Sequence, residues 1–409
     1  MRLDQVRAAL DRRLDPTTPA PLAVGFSGGG DSLFLLRTIL DWARPRGRPV
    51  LALVVDHQLQ ADSGRWTAEA LAKARALGAN ARALVWSGNK PRAGLPAAAR
   101  RARHGLLAGA AREAGARVVI LGHTASDLAE GAAMRAEGSS VSDPREWAPS
   151  PVWPAGRGVF VLRPLLSLTR SEIRDRLAQA GETWLDDPAN HDLRFARARA
   201  RASGFLPPAK MSLHAPPTMA AFDVDAAGAI RLTRGIAPAH LAAALLCAGG
   251  TERPPRGERL ARLVDRIRTG DAFTATLAGA RVEATSDILI CRDAGEIARG
   301  GLAPLDLAPR ETGVWDGRWE VTAGDVPITI GPLKGRAARL SPQQRDGIAK
   351  VAPAARPSLP LITREGHDGA GELMLDGPEL AAEGEVRARS LVLDRFKAAV
   401  GLLDQESVT

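Results

Sequence analysis

Two hydrophobic periods alternate along the first half of the chain. Apolar runs of strand length occur at Leu22–Phe26, Val50–Val55, Arg82–Trp86 and Val118–Gly122. Between them lie Leu33–Trp42, Arg65–Leu77, Leu95–Ala114 and Asp127–Arg135, where apolar residues recur on a helical period. Val159–Leu162 supplies a further strand. Such alternation builds βαβ units and a parallel sheet covered by helices on both faces. Met1–Leu14 mixes charged and apolar positions, so it reads as an amphipathic helix without the apolar core of a signal peptide. Pro144–Gly158, rich in Pro and Trp, reads as a loop. Thr169–Ala180 reads as a helix with Thr169 as its N-cap.

The Pro-rich stretch Pro207–Pro217 ends this first domain, placed at 1–210. Two helices, Pro238–Ala248 and Gly257–Thr269, then precede a meander from Phe273 to Cys291 that turns at Gly279. These suggest a second domain over 215–300. After the "GGLAPLDLAPR" linker, a Gly- and Pro-rich third segment over 310–409 carries short strands such as Trp319–Val321 and Val326–Ile330.

Composition narrows the classes. No run approaches the ~20 apolar residues of a membrane span. The only cysteines, Cys247 and Cys291, sit in apolar settings and form no CxxC, which argues against zinc, iron–sulfur and disulfide frameworks. A reducing cytoplasm is the simplest compartment. The chain has 55 Lys and Arg against 46 Asp and Glu, a net charge of +9. That excess suits a polyanionic partner such as nucleic acid. A coding bias toward Ala and Arg accounts for it equally well.

The most informative stretch is "VGFSGGGDSLFLL", Val24–Leu36. Strand, glycine loop and helix in that order make a phosphate site: the glycines allow close backbone approach, and N–H groups and the helix dipole face the anion. No Lys followed by Ser or Thr is present, so this is not a Walker A loop. The third glycine of a dinucleotide fingerprint is also missing. What remains is Ser27, Gly28, Gly29, Gly30, Asp31 and Ser32. The hydroxyls and N–H groups suit a pyrophosphate, and Asp31 suits Mg²⁺.

This loop resembles the PP-loop of the ATP pyrophosphatases, Ser-Gly-Gly-x-Asp-Ser. The implied fold class is α/β, with a parallel-sheet PP-loop domain followed by smaller α/β or α+β C-terminal domains. Further stretches resemble the tRNA(Ile)-lysidine synthetase family in order and approximate spacing. They are "VDHQLQ" (Val55–Gln60), "AARRARHGLL" (Ala98–Leu107), "LGHTASDLAEG" (Leu121–Gly131), "RPLL" (Arg163–Leu166) and "WLDDPANHDLRFARARAR" (Trp184–Arg201). Departures include His104 for a Tyr, Ser126 for an Asp, Leu128 for Gln, Gly131 for Thr, and Ala198 and Ala200 for Asn and Ile.

The resemblance implies ATP and Mg²⁺ as cofactors, with tRNA(Ile) bearing a CAU anticodon and free lysine as substrates. The C2 oxygen of the wobble cytidine would be adenylated, and the lysine side-chain amine would then displace AMP. It implies that Asp31 holds metal, that Asp127 holds a second metal or orients the substrate, with an N-cap as its alternative, that His123 touches the α-phosphate or is a structural histidine, and that Arg103 meets ATP or tRNA phosphate. Asp56 would face the nucleotide or brace its own loop. Arg194, Arg197, Arg199 and Arg201 form a basic cluster suited to RNA phosphates. ATP binding would be local to residues 1–201. The reading also allows a homodimer. Competing readings are another PP-loop enzyme, such as a tRNA thiolase, and a tRNA-binding module with a decayed active site.

Overall fold

The computed structural model describes residues 2–139, 143–185, 199, 219, 221–364, 372–373 and 385–406. The chain divides into two compact units, one of residues 1–215 with 403–409, the other of 216–402.

The first unit opens with helix α1 (Arg2–Arg13). Strands β1 (Leu22–Gly25), β2 (Val50–Asp56), β3 (Asn80–Val85) and β4 (Val118–Ile120) alternate with helices α2 (Gly30–Ala43), α3 (Ser63–Ala76) and α4 (Leu95–Glu113). Helix α5 (Ala125–Ala136), strands β5 (Trp147–Pro149) and β6 (Phe160–Leu162) and helix α6 (Arg170–Gln179) follow. The sheet order is β3-β2-β1-β4-β6-β5. The first five strands in that order run parallel, with Val24 of β1 opposite Ala52 of β2 and Ile120 of β4.

Both faces of the sheet are buried at β2, β1, β4 and β6, as their near-continuous apolar sequences require, while the edge strand β3 is largely exposed. On one face Leu22, Val24 and Ile120 pack with Leu33, Leu36 and Ile39 of α2. On the other, Ala23, Leu53, Val119 and Val161 pack with Leu107 and Ala111 of α4. Helix α6 starts at a capping box: Thr169 Oγ1 accepts from the Glu172 N–H, and the Glu172 carboxylate accepts from the Thr169 N–H at 2.7 Å.

One expectation is corrected. Pro144–Gly158 is not wholly loop, because Trp147–Pro149 forms an antiparallel edge strand against β6. Trp147 stacks on Phe160 with ring centroids 4.7 Å apart, and its indole N–H donates to the Leu403 carbonyl.

The second unit is built on antiparallel sheets. Strands Phe273–Leu277, Ala280–Ala284 and Ile288–Arg292 form the expected meander, extended by Ile230–Leu232 and Phe222–Val224. A four-stranded and a three-stranded sheet follow, drawn from residues 305–390. The segments on either side of residue 305 share cores rather than separating there. Phe396, on helix Val392–Ala399, packs with Ile230, Val282 and Ile290, and Cys291 packs with Leu333 and Leu361. Both cysteine thiols are buried, and burial pushes each up to about 12. A buried thiol so raised is a poor nucleophile at neutral pH. No described helix is long and apolar enough to cross a membrane.

Candidate nucleotide-binding and catalytic site

The glycine loop leaves β1 and enters α2 at the C-terminal edge of the parallel sheet. Gly28 has φ +80°, and a Cβ there would lie 2.5 Å from Leu185 Cδ1. Only glycine meets both demands. The Leu185 N–H donates to the Gly28 carbonyl at 3.0 Å, which fixes the loop from outside. Within it, Ser32 Oγ donates to the Gly29 carbonyl at 2.9 Å and accepts from the Ser27 N–H at 3.2 Å. Ser27 Oγ lies 3.2 Å from Ser32 Oγ. These bonds hold the loop in shape before any ligand arrives. Gly122, just after β4, lets that segment press on the loop: a Cβ there would lie 3.1 Å from the Asp31 carbonyl oxygen.

Beside the loop, one arginine gathers the acids. Arg170, the first residue of α6, donates from Nη1 to Glu130 Oε1 at 2.8 Å and from Nε to Asp31 Oδ2 at 3.1 Å. Its Nη2 lies 3.6 Å from Asp127 Oδ1. Its backbone N–H donates to Ser126 Oγ at 3.1 Å, so Ser126 has a positioning role of its own. Burial opposes the charge on Arg170, but Glu130, Asp127 and Asp31 outweigh it and the guanidinium is held firmly protonated. Burial raises the Asp31 carboxyl above the usual carboxylate range, against the pull of Arg170. Asp31 Oδ1 is buried and has no hydrogen-bond partner.

Asp127 serves in the structure as the N-cap partner that the sequence left open. Its Oδ2 accepts from the Thr124 N–H at 2.8 Å and from Thr124 Oγ1 at 3.0 Å, closing a capping box on α5. Its Oδ1 faces Arg170. Asp56 braces its own loop, with Oδ1 accepting from the Gln58 N–H at 2.8 Å where Gln58 turns to φ +51°.

Arg103 and His123 belong to a basic group. His104 of α4 is buried and driven down to about 2, first by burial and then by Arg103, Arg100, Arg163 and His123. Arg163 is buried too; burial, Arg100 and Arg103 lower it to about 10. His104 is therefore a neutral spacer beside Arg103, Arg100 and Arg163. Among the RNA candidates, Arg199 is exposed and lies 3.8 Å from Glu137. Arg194, Arg197 and Arg201 lie outside the described residues.

Sequence reasoning brought Asp31 and Asp127 together but missed Arg170, Glu130 and Arg163. Glu130 stands three residues after Asp127 on one helix, so its shared face was legible. Arg170 carried no such mark.

No group of three or more His, Cys, Asp or Glu among the described residues is arranged to hold a metal by itself. The unpartnered oxygen of Asp31 still suits Mg²⁺, which takes one or two carboxylates alongside substrate phosphate.

Residues 3–205 match the PP-loop domain family. The chain is 72% identical over all 409 residues to the tRNA(Ile)-lysidine synthase of Caulobacter vibrioides, covering 100% of each. It belongs to the tRNA(Ile)-lysidine synthase family. It is also 36% identical over 334 residues to the tRNA(Ile)-lysidine synthase of Hyphomonas neptunium, covering 73% of this chain and 88% of that one. Among solved structures, a U34-tRNA thiolase from Methanococcus maripaludis covers 49% of this chain and 71% of its own at TM-score 0.39 and 14% identity, too weak a likeness to bear on the chemistry. The departures at Ser126 and Leu128 therefore sit in a synthase-family chain, and Ser126 has its own bond to α6.

Gly28→Ala tests the loop. An alanine meets both the left-handed backbone and the Leu185 side chain, a strain of about 1–3 kcal/mol. The expected result is a KM for ATP raised about tenfold or more, with KM for tRNA little changed, measured by initial-rate kinetics.

Proposed function

We propose that this protein attaches lysine to C2 of the wobble cytidine of tRNA(Ile), consuming ATP. The observation that carries this reading is the acid cluster of Asp31, Asp127 and Glu130, gathered by Arg170 against a glycine loop built for pyrophosphate. In the first step the C2 oxygen of cytidine bonds to the α-phosphorus and the α–β bridge breaks. Pyrophosphate is left in the loop, where backbone N–H groups and the α2 dipole neutralise it. In the second step the lysine side-chain nitrogen bonds to C2, the C2–O bond breaks, and the oxygen leaves with AMP. The amine must first lose a proton, and a carboxylate of the cluster is the acceptor at hand.

Asp31 Oδ1 would hold Mg²⁺, whose chemistry is to neutralise charge on the phosphates. Arg170 holds Asp31 and Glu130 together through its guanidinium. Arg163, with Arg103 and Arg100, supplies the positive field for the α-phosphate. The thiolase reading lacks an accessible thiol, since Cys247 and Cys291 are both buried with raised pKa values. The RNA would be tRNA(Ile), in line with the names of the relatives, and we take its anticodon to be CAU.

The test is mass spectrometry of tRNA nucleosides after incubation with ATP, Mg²⁺ and lysine. The expected product is a lysine adduct on cytidine, with one AMP and one pyrophosphate per adduct. Pyrophosphate release without an adduct, or no ATP cleavage while tRNA still binds, would replace this reading with one of its competitors.

Arg170→Ala should lower turnover by roughly 10²-fold, within the range for loss of a preorganised electrostatic partner. Arg170→Lys should restore little, because one ammonium cannot span the acids that the guanidinium joins. Single-turnover kinetics with saturating ATP checks this.

A further inference from the structure

Residues 70–112 carry nine Lys and Arg residues and no Asp or Glu. In a chain of 409 residues with 46 acids, that is a long acid-free interval. It spans β3, the following loop and most of α4, so it holds the edge strand of the sheet. The loop starts at Trp86, whose N–H donates to the Asp56 carbonyl at 2.9 Å. Trp86 therefore stands at the C-terminal end of the sheet, on the same edge as the glycine loop. Strand order puts β3 two places from β1, about 10 Å at the usual strand spacing.

Trp86 is half-buried. Lys90 Nζ lies 4.0 Å from its ring centroid and also bonds to the Trp86 carbonyl. The His57 ring stands perpendicular to the indole at 6.0 Å, with Nδ1 buried and without a partner. Leu59, in the loop after β2, is 43% exposed, and Arg92 and Arg101 are exposed on the loop and on α4. An aromatic ring set among cations with no acid in the segment is the composition of a single-strand nucleic-acid surface.

We infer that Trp86 is a stacking platform for an unpaired base of the RNA substrate, with Lys90 and Arg92 as its phosphate contacts. A base sliding over the indole would exchange the Lys90 cation contact for a π-stack and turn the ammonium toward the neighbouring phosphate. An anticodon loop supplies such unpaired bases, which are read by stacking rather than by groove contacts. This rests on the proposed action on tRNA, and it adds the face that holds the strand beside the reacting base.

The test is binding of a radiolabelled anticodon stem-loop RNA by the full chain at several salt concentrations, alongside KM for ATP. Trp86→Ala should weaken RNA binding about 5- to 100-fold, the range for one lost base stack. Trp86→Phe should recover most of it. KM for ATP should stay within a factor of two (roughly 0.4 kcal/mol). Lys90→Ala with Arg92→Ala should lower the slope of log K against log salt by about 0.7 per lost contact. A raised KM for ATP with unchanged RNA affinity would overturn the inference and assign Trp86 to adenine. Unchanged binding and slope in both variants would also overturn it. The double variant keeps Trp86, so the slope decides even if Trp86→Ala does not fold. Should the wild-type chain bind RNA through Trp86 yet form no lysine adduct, the proposed reaction fails and this platform stands.

Discussion

Asp31→Asn should abolish lysine transfer and leave the protein more resistant to heat. The activity loss is expected at roughly 10²–10³-fold or more, typical of removing a charge that acts only on the developing phosphate charge. The stability gain follows from the sign of the Asp31 shift. Burial is the largest cause and raises its pKa, with Arg170 pulling the other way. The folded state thus binds this proton more tightly than the unfolded chain does. Its contribution favours the fold most at low pH, below the ordinary carboxylate range, and is lost as pH rises through the folded pKa. Above that point the ionised group is a net burden on the fold. The amide removes the charge, and Arg170 keeps Glu130 and Asp127 as partners.

Thermal unfolding over a pH series checks the argument. The variant should unfold at a higher temperature than the parent near neutral pH, and the gap should close on acidification. A variant that is inactive and less stable at every pH would show that Asp31 is held for structure. An active variant would remove it from the proposed metal and phosphate role. The combination expected here, inactive and stabilised, is the signature of a residue kept for function at the expense of the fold.

Much of the first unit was legible because its signals are local. The runs at Leu22, Val50 and Val118 are apolar on both faces, as buried parallel strands must be, and α5 and α6 carry their own capping boxes. β5 was missed because Trp147–Pro149 has neither length nor alternation, and it ends in a proline. Its strand character comes from β6 alongside and from the Trp147 bond to Leu403, far away in sequence. The same limit hid the shared cores of the second unit, where Phe396 packs on strands more than a hundred residues earlier. In the site, the glycine loop declared itself because each residue in it has a local duty. Arg170 did not, since its partners lie 40 and 139 positions away and a lone arginine at a helix start resembles a solvated one. Asp56 and Asp127 show the converse: an acid at a strand end or in a first helical turn has local bonds to make, and both make them.

Glu406→Ala should cost the first unit about 3–5 kcal/mol, the usual penalty for stripping one partner from a buried ion pair. Arg48 and Glu406 each have side chains only 1% exposed and meet at 2.8 Å. Arg48 also donates to the carbonyls of Ala20 and Asp15, and Glu406 Oε2 also accepts from the Asp15 N–H. The Glu406 N–H donates to the Arg13 carbonyl at 2.8 Å. Residues 403–406 thus form a strap sewn into the segment that leads from α1 to β1, just ahead of the glycine loop. A fragment of residues 1–201 lacks Glu406 and leaves Arg48 without its carboxylate partner. Urea unfolding of the full chain should show an early transition for Glu406→Ala. Arg48→Met with Glu406→Leu should recover most of the loss, since matched apolar residues replace a buried pair at little cost. A fragment of residues 1–201 should bind ATP weakly and gain affinity when a peptide of residues 403–409 is added. Equal ATP affinity with and without the peptide, together with an unshifted transition in Glu406→Ala, would show that the strap contributes nothing to the fold it closes.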